Sequence, residues 1–304
     1  MLVLRSSSRV AMNQYKRIFL FADSSMRRTP AFDRAVWLAH VCDAQLHIAL
    51  FGHDSTIAAE ALINKQASHR ARAAWVEKRQ SWLSQPLPGF AVADPRVTVQ
   101  VVWAPAVQDE MLISIADQCS DLVIKDVQHD GIRRRILLKP LDWHLLRTCP
   151  VPLLLVQSLS GAAPKRVFAA VDARHRPSSA DDLNDRIIEE ASALSTLCAA
   201  PLHLVYAFDG ADAEADPIHT QDARLSQQQE AFAMIAATHG IPPDRQHFLL
   251  GPPAPAFSEL LHDNHDDVIV LGTKPHTVME RLRDGKNAEA ILDHVPCNVL
   301  AIKL

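Results

Sequence analysis

The sequence predicts an α/β fold written twice: two tandem domains, each a five-stranded parallel sheet flanked by helices. Three observations predict it. The chain has 304 residues, about twice a usual ~150-residue domain. Four blocks of sequence recur in the same order in its two halves. Short runs rich in Val, Ile and Leu alternate with longer stretches of helical spacing, the pattern of parallel strands joined by right-handed crossovers.

The repeat is read from its residues. Lys16 to Asp23 matches Lys165 to Asp172: two basic residues, an apolar run and a closing aspartate. Val41 to Ile48 matches Leu197 to Leu204, Asp117 to Ile124 matches Asp263 to Val270, and Pro150 to Val156 matches Pro296 to Ile302. The first domain is therefore placed at 13–157 and the second at 165–304. The Ser-Gly-Ala-Ala-Pro composition of 158–164 suits a linker, and residues 1–12 form a flexible N-terminal extension.

In the first half, strands are expected at Arg17–Asp23, Gln45–Phe51, Val97–Trp103, Asp121–Lys125 and Pro152–Val156. In the second they are expected at Arg166–Asp172, Leu202–Phe208, Arg245–Leu250, Val268–Gly272 and Asn298–Ile302. Most of these runs do not alternate, which is how strands covered on both faces read. Phe32, Val36, Ala39 and Val41 mark a helix face in the first half, and Ile187, Ala191, Leu194 and Leu197 mark one in the second. Trp75 and Trp82, seven apart, share a buried helix face. An open sheet of this kind takes ligands beyond the carboxyl ends of its strands.

Composition excludes several function classes. Hydrophobic residues at 48% and charged residues at 22% describe a globular chain. A net charge of −4 supplies no positive field for general nucleic-acid binding. The five cysteines contain no CxxC spacing, so neither a disulfide framework nor a thiolate zinc site is expected, and a reducing cytoplasm fits. No export signal or membrane span is visible. The nine glycines are too far apart for GxGxxG or GxxxxGK[ST], and no GxSxG elbow occurs, so catalysis has no footprint. His262 and His265 share a helix face, but a zinc ion needs further ligands that spacing does not supply, and no metal is expected. Trp143 and His144 read as anchors of the helix before the last strand of the first half.

The strand closing in Asp172, the strand Asp267 to Gly272 and the final strand Pro296 to Ile302 resemble the universal stress protein family over both halves. Asp142-Trp143-His144-Leu145-Leu146-Arg147-Thr148-Cys149-Pro150 narrows the resemblance to its tandem-domain type E branch. The resemblance implies a cytoplasmic stress-response protein whose two domains form an intramolecular pseudo-dimer, with no established catalytic reaction.

The family's ATP-binding members carry G-x2-G-x9-G-[ST] after the fourth strand. Here the aligned stretch is Gly272-Thr273-Lys274-Pro275, nine residues, then Gly285-Lys286. Pro275 removes an N–H donor and denies the left-handed turn, and Lys286 replaces the hydroxyl residue. Lys274 and Lys286 keep the loop basic, and Asn287 can cap the next helix and present N–H groups to an anion. The candidate ligand-binding residues are Asp172, Gly272, Lys274, Gly285, Lys286 and Asn287. In the first half Asp126 takes the Gly272 position and none of the glycines is present. Its weaker candidates are Asp23, Arg133 and Arg135, where the plainer readings are helix capping by the aspartate and a solvated basic turn. The expected activity is binding of a partner protein or a small anionic ligand without catalysis, with further oligomerisation open. ATP binding or nucleotide hydrolysis at the second loop is one alternative; an amphiphile or sugar nucleotide is the other.

Overall fold

The computed structural model describes residues 15–91, 94–127, 140–157, 163–174, 183–210, 220–273 and 294–303. The N-terminal extension through residue 14 and residues 158–162 of the expected linker lie outside the described residues. All ten expected strands form within one or two residues of their predicted bounds, apart from earlier ends at Asp23 and Asp172.

Packing separates the chain after Asp126. The unit spanning 12–126 contains β1 (Arg17–Phe21), α1 (Pro30–Val41), β2 (Gln45–Gly52), α2 (Ser55–Glu60), α3 (Lys65–Leu83), β3 (Val97–Trp103), α4 (Val107–Asp117) and β4 (Leu122–Asp126). Its strands lie in the order β3-β2-β1-β4, all parallel. Ile18, Phe19, Leu20, Val123 and Ile124 are all but fully buried, as expected of non-alternating strands.

The unit from Val127 onward contains α5 (Pro140–Thr148), β5 (Leu153–Val156), β6 (Val167–Ala170), α6 (Leu183–Cys198), β7 (Leu202–Phe208), α7 (Gln221–Thr238), β8 (Gln246–Leu250), α8 (Pro253–Leu261), β9 (Val268–Thr273) and β10 (Asn298–Lys303). Its order is β5-β10-β9-β6-β7-β8. Every pair is parallel except β5 with β10, where Leu155 faces Val299 and Leu153 faces Ala301. β5 closes the first repeat and β10 the second.

The repeated blocks correspond to repeated devices. α1, α4 and α6 each stop on a residue in left-handed conformation, Asp43, Cys119 and Ala199. In each case the next N–H bonds back five residues: Ala44 to Ala39, Ser120 to Ile115 and Ala200 to Ser195. These paired-bond helix stops satisfy end carbonyls and aim the chain into the following strand. The aspartate before each fourth strand is a second shared device. Asp121 accepts the N–H groups of Lys16 and Arg17 at 2.8 and 3.0 Å, and Asp267 accepts that of Arg166 at 3.1 Å. Each carboxylate thus ties the start of one parallel strand to its neighbour.

The matched histidines His47 and His203 occupy equivalent positions beside Phe19 and Phe168, with ring centroids 5.1 and 5.0 Å apart. His47 is hydrogen-bonded to Thr98 and Gln100, and His203 to His247 at 2.9 Å. Burial, followed by the neighbouring His247 and Arg166, brings His203 down to about 4, so the pair is neutral at pH 7. Trp82 meets Phe32, while Trp75 meets Trp103 edge-on and packs over Gly52. Both tryptophans are half-buried rather than on the buried face expected for them; the buried residues of α3 are Ser68 and Leu83. Cys42, Cys119, Cys149 and Cys297 are free thiols.

Candidate functional site

The carboxyl ends of β6 and β9 lie beside each other in the sheet, because these strands are paired from Val167 and Val268 onward. Just past β6, the backbone of Asp172 is held by an amide clamp. Its N–H donates to Asn184 Oδ1 at 2.8 Å, and its carbonyl accepts from Asn184 Nδ2 at 2.8 Å. Asn184 can reach it because α6 turns the same stripe inward at Asn184, Ile187, Ile188 and Ala191, all buried.

The Asp172 carboxylate is engaged locally. It accepts from the Arg174 N–H at 3.0 Å, and the Arg174 side chain bonds both its oxygens, Nε to Oδ1 at 3.0 Å and Nη2 to Oδ2 at 2.8 Å. Such a forked arginine–carboxylate pair holds geometry tightly. A ribose hydroxyl seeking this carboxylate would have to compete with Arg174.

Gly272, near the end of β9, faces the residue next to Asn184. A Cβ on Gly272 would lie 2.5 Å from Leu183 Cδ2 and 2.7 Å from Cδ1, well inside contact distance. The glycine is therefore needed for close helix approach. Two sequence candidates from different strands, Asp172 and Gly272, are thus brought onto consecutive residues of α6. Gly272→Ala is expected to destabilise the chain by about 1–2 kcal/mol through overpacking. Urea unfolding of Gly272→Ala beside Gly272→Ala with Leu183→Ala checks this, since the second change removes the clash; equal stability of Gly272→Ala and wild type would refute it.

In the first half, Asp23 holds a similar turn. It accepts the Ser25 N–H at 3.0 Å and the Ser25 hydroxyl at 2.8 Å, with Arg27 at 3.7 Å. The helix-cap reading of Asp23 is corrected by the structure. Thr29 caps α1, its hydroxyl accepting from Phe32, with Pro30 fixing the first turn. Asp23 lies too early in the chain to do so and closes a short turn instead. Lys274, Gly285, Lys286, Asn287, Arg133 and Arg135 lie outside the described residues.

Sequence reasoning missed Arg174, Leu183 and Asn184. Asn184 carried a legible signal, a polar residue on the apolar stripe of Ile187, Ala191 and Leu194. Arg174 and Leu183 carried none, because their contacts depend on how α6 lies against β6 and β9. The His262 and His265 side chains diverge: His262 contacts Asp263 at 3.1 Å and His265 contacts the Pro296 carbonyl at 2.8 Å. Among the described residues no group of three or more His, Cys, Asp or Glu side chains is placed to hold a metal ion. Trp143 is 6.0 Å from the Arg147 guanidinium in α5. Trp143 and His144, expected as the anchors of this helix, are only half-buried, and its buried side chains are Asp142, Leu145 and Leu146.

The chain is a duplicated α/β fold whose carboxyl-end turns around Asp23 and Asp172 are built alike, each aspartate accepting the N–H two residues on. The universal stress protein family model matches residues 14–157 and again 164–303, and the chain belongs to that family. It is similar to Universal stress protein E of Escherichia coli strain K12, 25% identical over 301 residues, covering 96% of this chain and 95% of that protein. The Universal stress protein E homolog of Haemophilus influenzae is 23% identical and covers 95% of this chain and 98% of its own. A crystal structure of a functionally unknown protein from Pseudomonas aeruginosa PAO1 shares the fold, with a TM-score of 0.70 at 22% identity over 96% of this chain and 94% of that one. A universal stress protein from Archaeoglobus fulgidus matches 94% of this chain and 98% of its own with a TM-score of 0.56 at 15% identity.

Proposed function

We propose that this tandem universal stress protein acts in stress response by binding a small anionic ligand or a protein partner at the carboxyl end of its second-repeat sheet, without catalysis. The observation that carries the reading is the meeting of Asp172 and Gly272 on Leu183 and Asn184. In sequence, the segment after β9 carries Lys274, Lys286 and Asn287, and open α/β sheets take ligands at the carboxyl ends of their strands, which supports the reading. The Asp172–Arg174 pair and the Leu183 side chain against Gly272 disfavour a nucleotide that needs a ribose acceptor and a clear backbone cradle. Free thiols at Cys42, Cys119, Cys149 and Cys297 suit a cytoplasmic setting, and among the described residues no helix is long and apolar enough to cross a membrane.

Calorimetric titration tests the reading against ATP with magnesium and against inorganic pyrophosphate. Pyrophosphate is expected to bind and ATP to show no preference over it. Lys274→Glu combined with Lys286→Glu should weaken pyrophosphate binding about tenfold or more, by replacing two attractive charges with repulsive ones. Unchanged affinity in the double variant would remove the loop from the site. Tight ATP binding with release of inorganic phosphate would favour the nucleotide-hydrolysing alternative, to which the two glycines Gly272 and Gly285 point. An amphiphile or sugar nucleotide would appear as a co-purified mass by native mass spectrometry.

A further inference from the structure

The two repeats treat one matched position differently. His47 and His203 hold equivalent places in β2 and β7, each beside the phenylalanine of the neighbouring first strand, Phe19 or Phe168. Ile48 is in register with Val99, and Leu204 with Gln246, so the residues that follow, Gln100 and His247, are equivalent on the outer strands β3 and β8. In the first repeat the His47 ring meets groups that do not titrate, Thr98 Oγ1 at 2.8 Å and Gln100 Oε1 at 3.2 Å. In the second, His203 Nδ1 meets another imidazole, His247 Nε2, at 2.9 Å. The rings are 25° from parallel with centroids 5.2 Å apart, so the contact is edge to edge and one hydrogen serves both nitrogens.

The surroundings give added positive charge on the pair little to balance it. Arg166 of β6 lies over Phe168 at 5.1 Å, and its guanidinium is already paired with Asp267. The turn before β8 brings Arg245 and Asp244, which are 3.9 Å from each other. α8 packs on β7 with Phe257 and Leu261 buried, and Glu259, His262 and Asp263 at its end are exposed. α6 and α7 lie on the opposite face, where Leu183 meets Gly272 and Phe232 meets Tyr206. Burial, then Arg166, holds His247 below its ordinary value, as burial, His247 and Arg166 together do for His203.

We propose that the His203–His247 pair is an acid-sensitive latch between β7 and the outer strand β8. At pH 7 the neutral rings share one hydrogen across the two strands. A proton added on acidification enters a half-buried place facing Arg166, and a second sets N–H against N–H. β8 is the last strand of the sheet and pairs with β7, so the opening that relieves this charge is release of β8, which returns both imidazoles to water. The open form binds more protons than the closed form between the ordinary histidine value of about 6.5 and the folded value of about 4, so the latch weakens as pH falls through that window.

Hydrogen exchange of the full chain, read by mass spectrometry at pH 7 and pH 5 and corrected for the intrinsic amide rate, tests the proposal. Protection of residues 246–250 should fall about twentyfold or more relative to the central strand β9, the factor that His203 alone supplies between its closed and open values. His247→Gln installs the residue that the first repeat carries at the equivalent position. It should lessen the acid loss at least about threefold, because one titrating ring and its repulsion are removed, and His203→Gln combined with His247→Gln should abolish it. Wild-type protection of 246–250 that is the same at both pH values, an equal loss in wild type and His247→Gln, or a loss shared equally by β9 would each overturn the proposal. Circular dichroism melting at pH 7 checks folding, and His203→Gln, with the same expected outcome, replaces His247→Gln if that variant melts early.

Discussion

Asp267→Ala is expected to lose about 3–4 kcal/mol of stability, because it breaks a buried ion pair and a strand-joining hydrogen bond together. Asp267 is fully buried. Its Oδ2 lies 2.6 Å from Arg166 Nη2 and 2.8 Å from Nε, while Oδ1 accepts the Arg166 N–H at 3.1 Å. Burial pushes the carboxyl above its ordinary value, and Arg166 is what opposes that push. Truncation to alanine leaves the guanidinium and the N–H of Arg166 without these acceptors where β6 begins beside β9. Asp267→Asn keeps an acceptor for the N–H and should lose less. Asp121→Ala, at the equivalent position of the first repeat, is the control. Asp121 is only half-buried, and its bonds are to main-chain N–H groups, so its loss should be smaller. Urea unfolding at pH 7 measures all three. A loss under about 1 kcal/mol for Asp267→Ala would show that water or another group replaces the carboxylate.

Asn298→Leu is expected to lose about 2–3 kcal/mol, although leucine matches asparagine closely in size. Asn298 opens β10 and is fully buried. Its Oδ1 accepts the Gln157 N–H at 3.0 Å, and its Nδ2 is directed at the carbonyls of His265, Asp266 and Asp267 at 3.4, 3.3 and 3.2 Å. The amide therefore ties the chain leaving β5 to the turn entering β9, at the edge of the antiparallel β5–β10 seam. Leucine fills the volume but removes the acceptor and the donor together. The two predicted losses should not add, since the Asp267 carbonyl accepts both from the Asn298 N–H at 3.0 Å and from Asn298 Nδ2 at 3.2 Å. A double variant no worse than Asp267→Ala plus a small increment would reveal that coupling, whereas full additivity would show the two groups to be independent.

The fold was legible because its physical causes are local or periodic. Non-alternating Val, Ile and Leu runs read as strands covered on both faces, and Phe32, Val36 and Ala39 proved to be a buried stripe of α1. The Cys42 and Cys198 blocks aligned in sequence because both mark the same helix stop. Asp121 and Asp267 aligned because both clamp a first strand to a fourth. The residues around the proposed site were legible only in part: Asp172 and Gly272 were candidates from sequence, whereas the Arg174 fork, the Asn184 clamp and the Leu183 packing beside them were not.

The sequence by itself determined that the chain is a duplication and that each copy alternates strand and helix. Hydrophobic period, turn chemistry and repeated blocks carry that information within short windows. Only the tertiary structure decided that β5 pairs antiparallel with β10, that Arg174 occupies the Asp172 carboxylate, and that Leu183 requires a glycine at 272. The physical reason is range. These contacts depend on how separated segments pack side by side, and no local pattern encodes the distance between a helix side chain and a strand backbone 89 positions away.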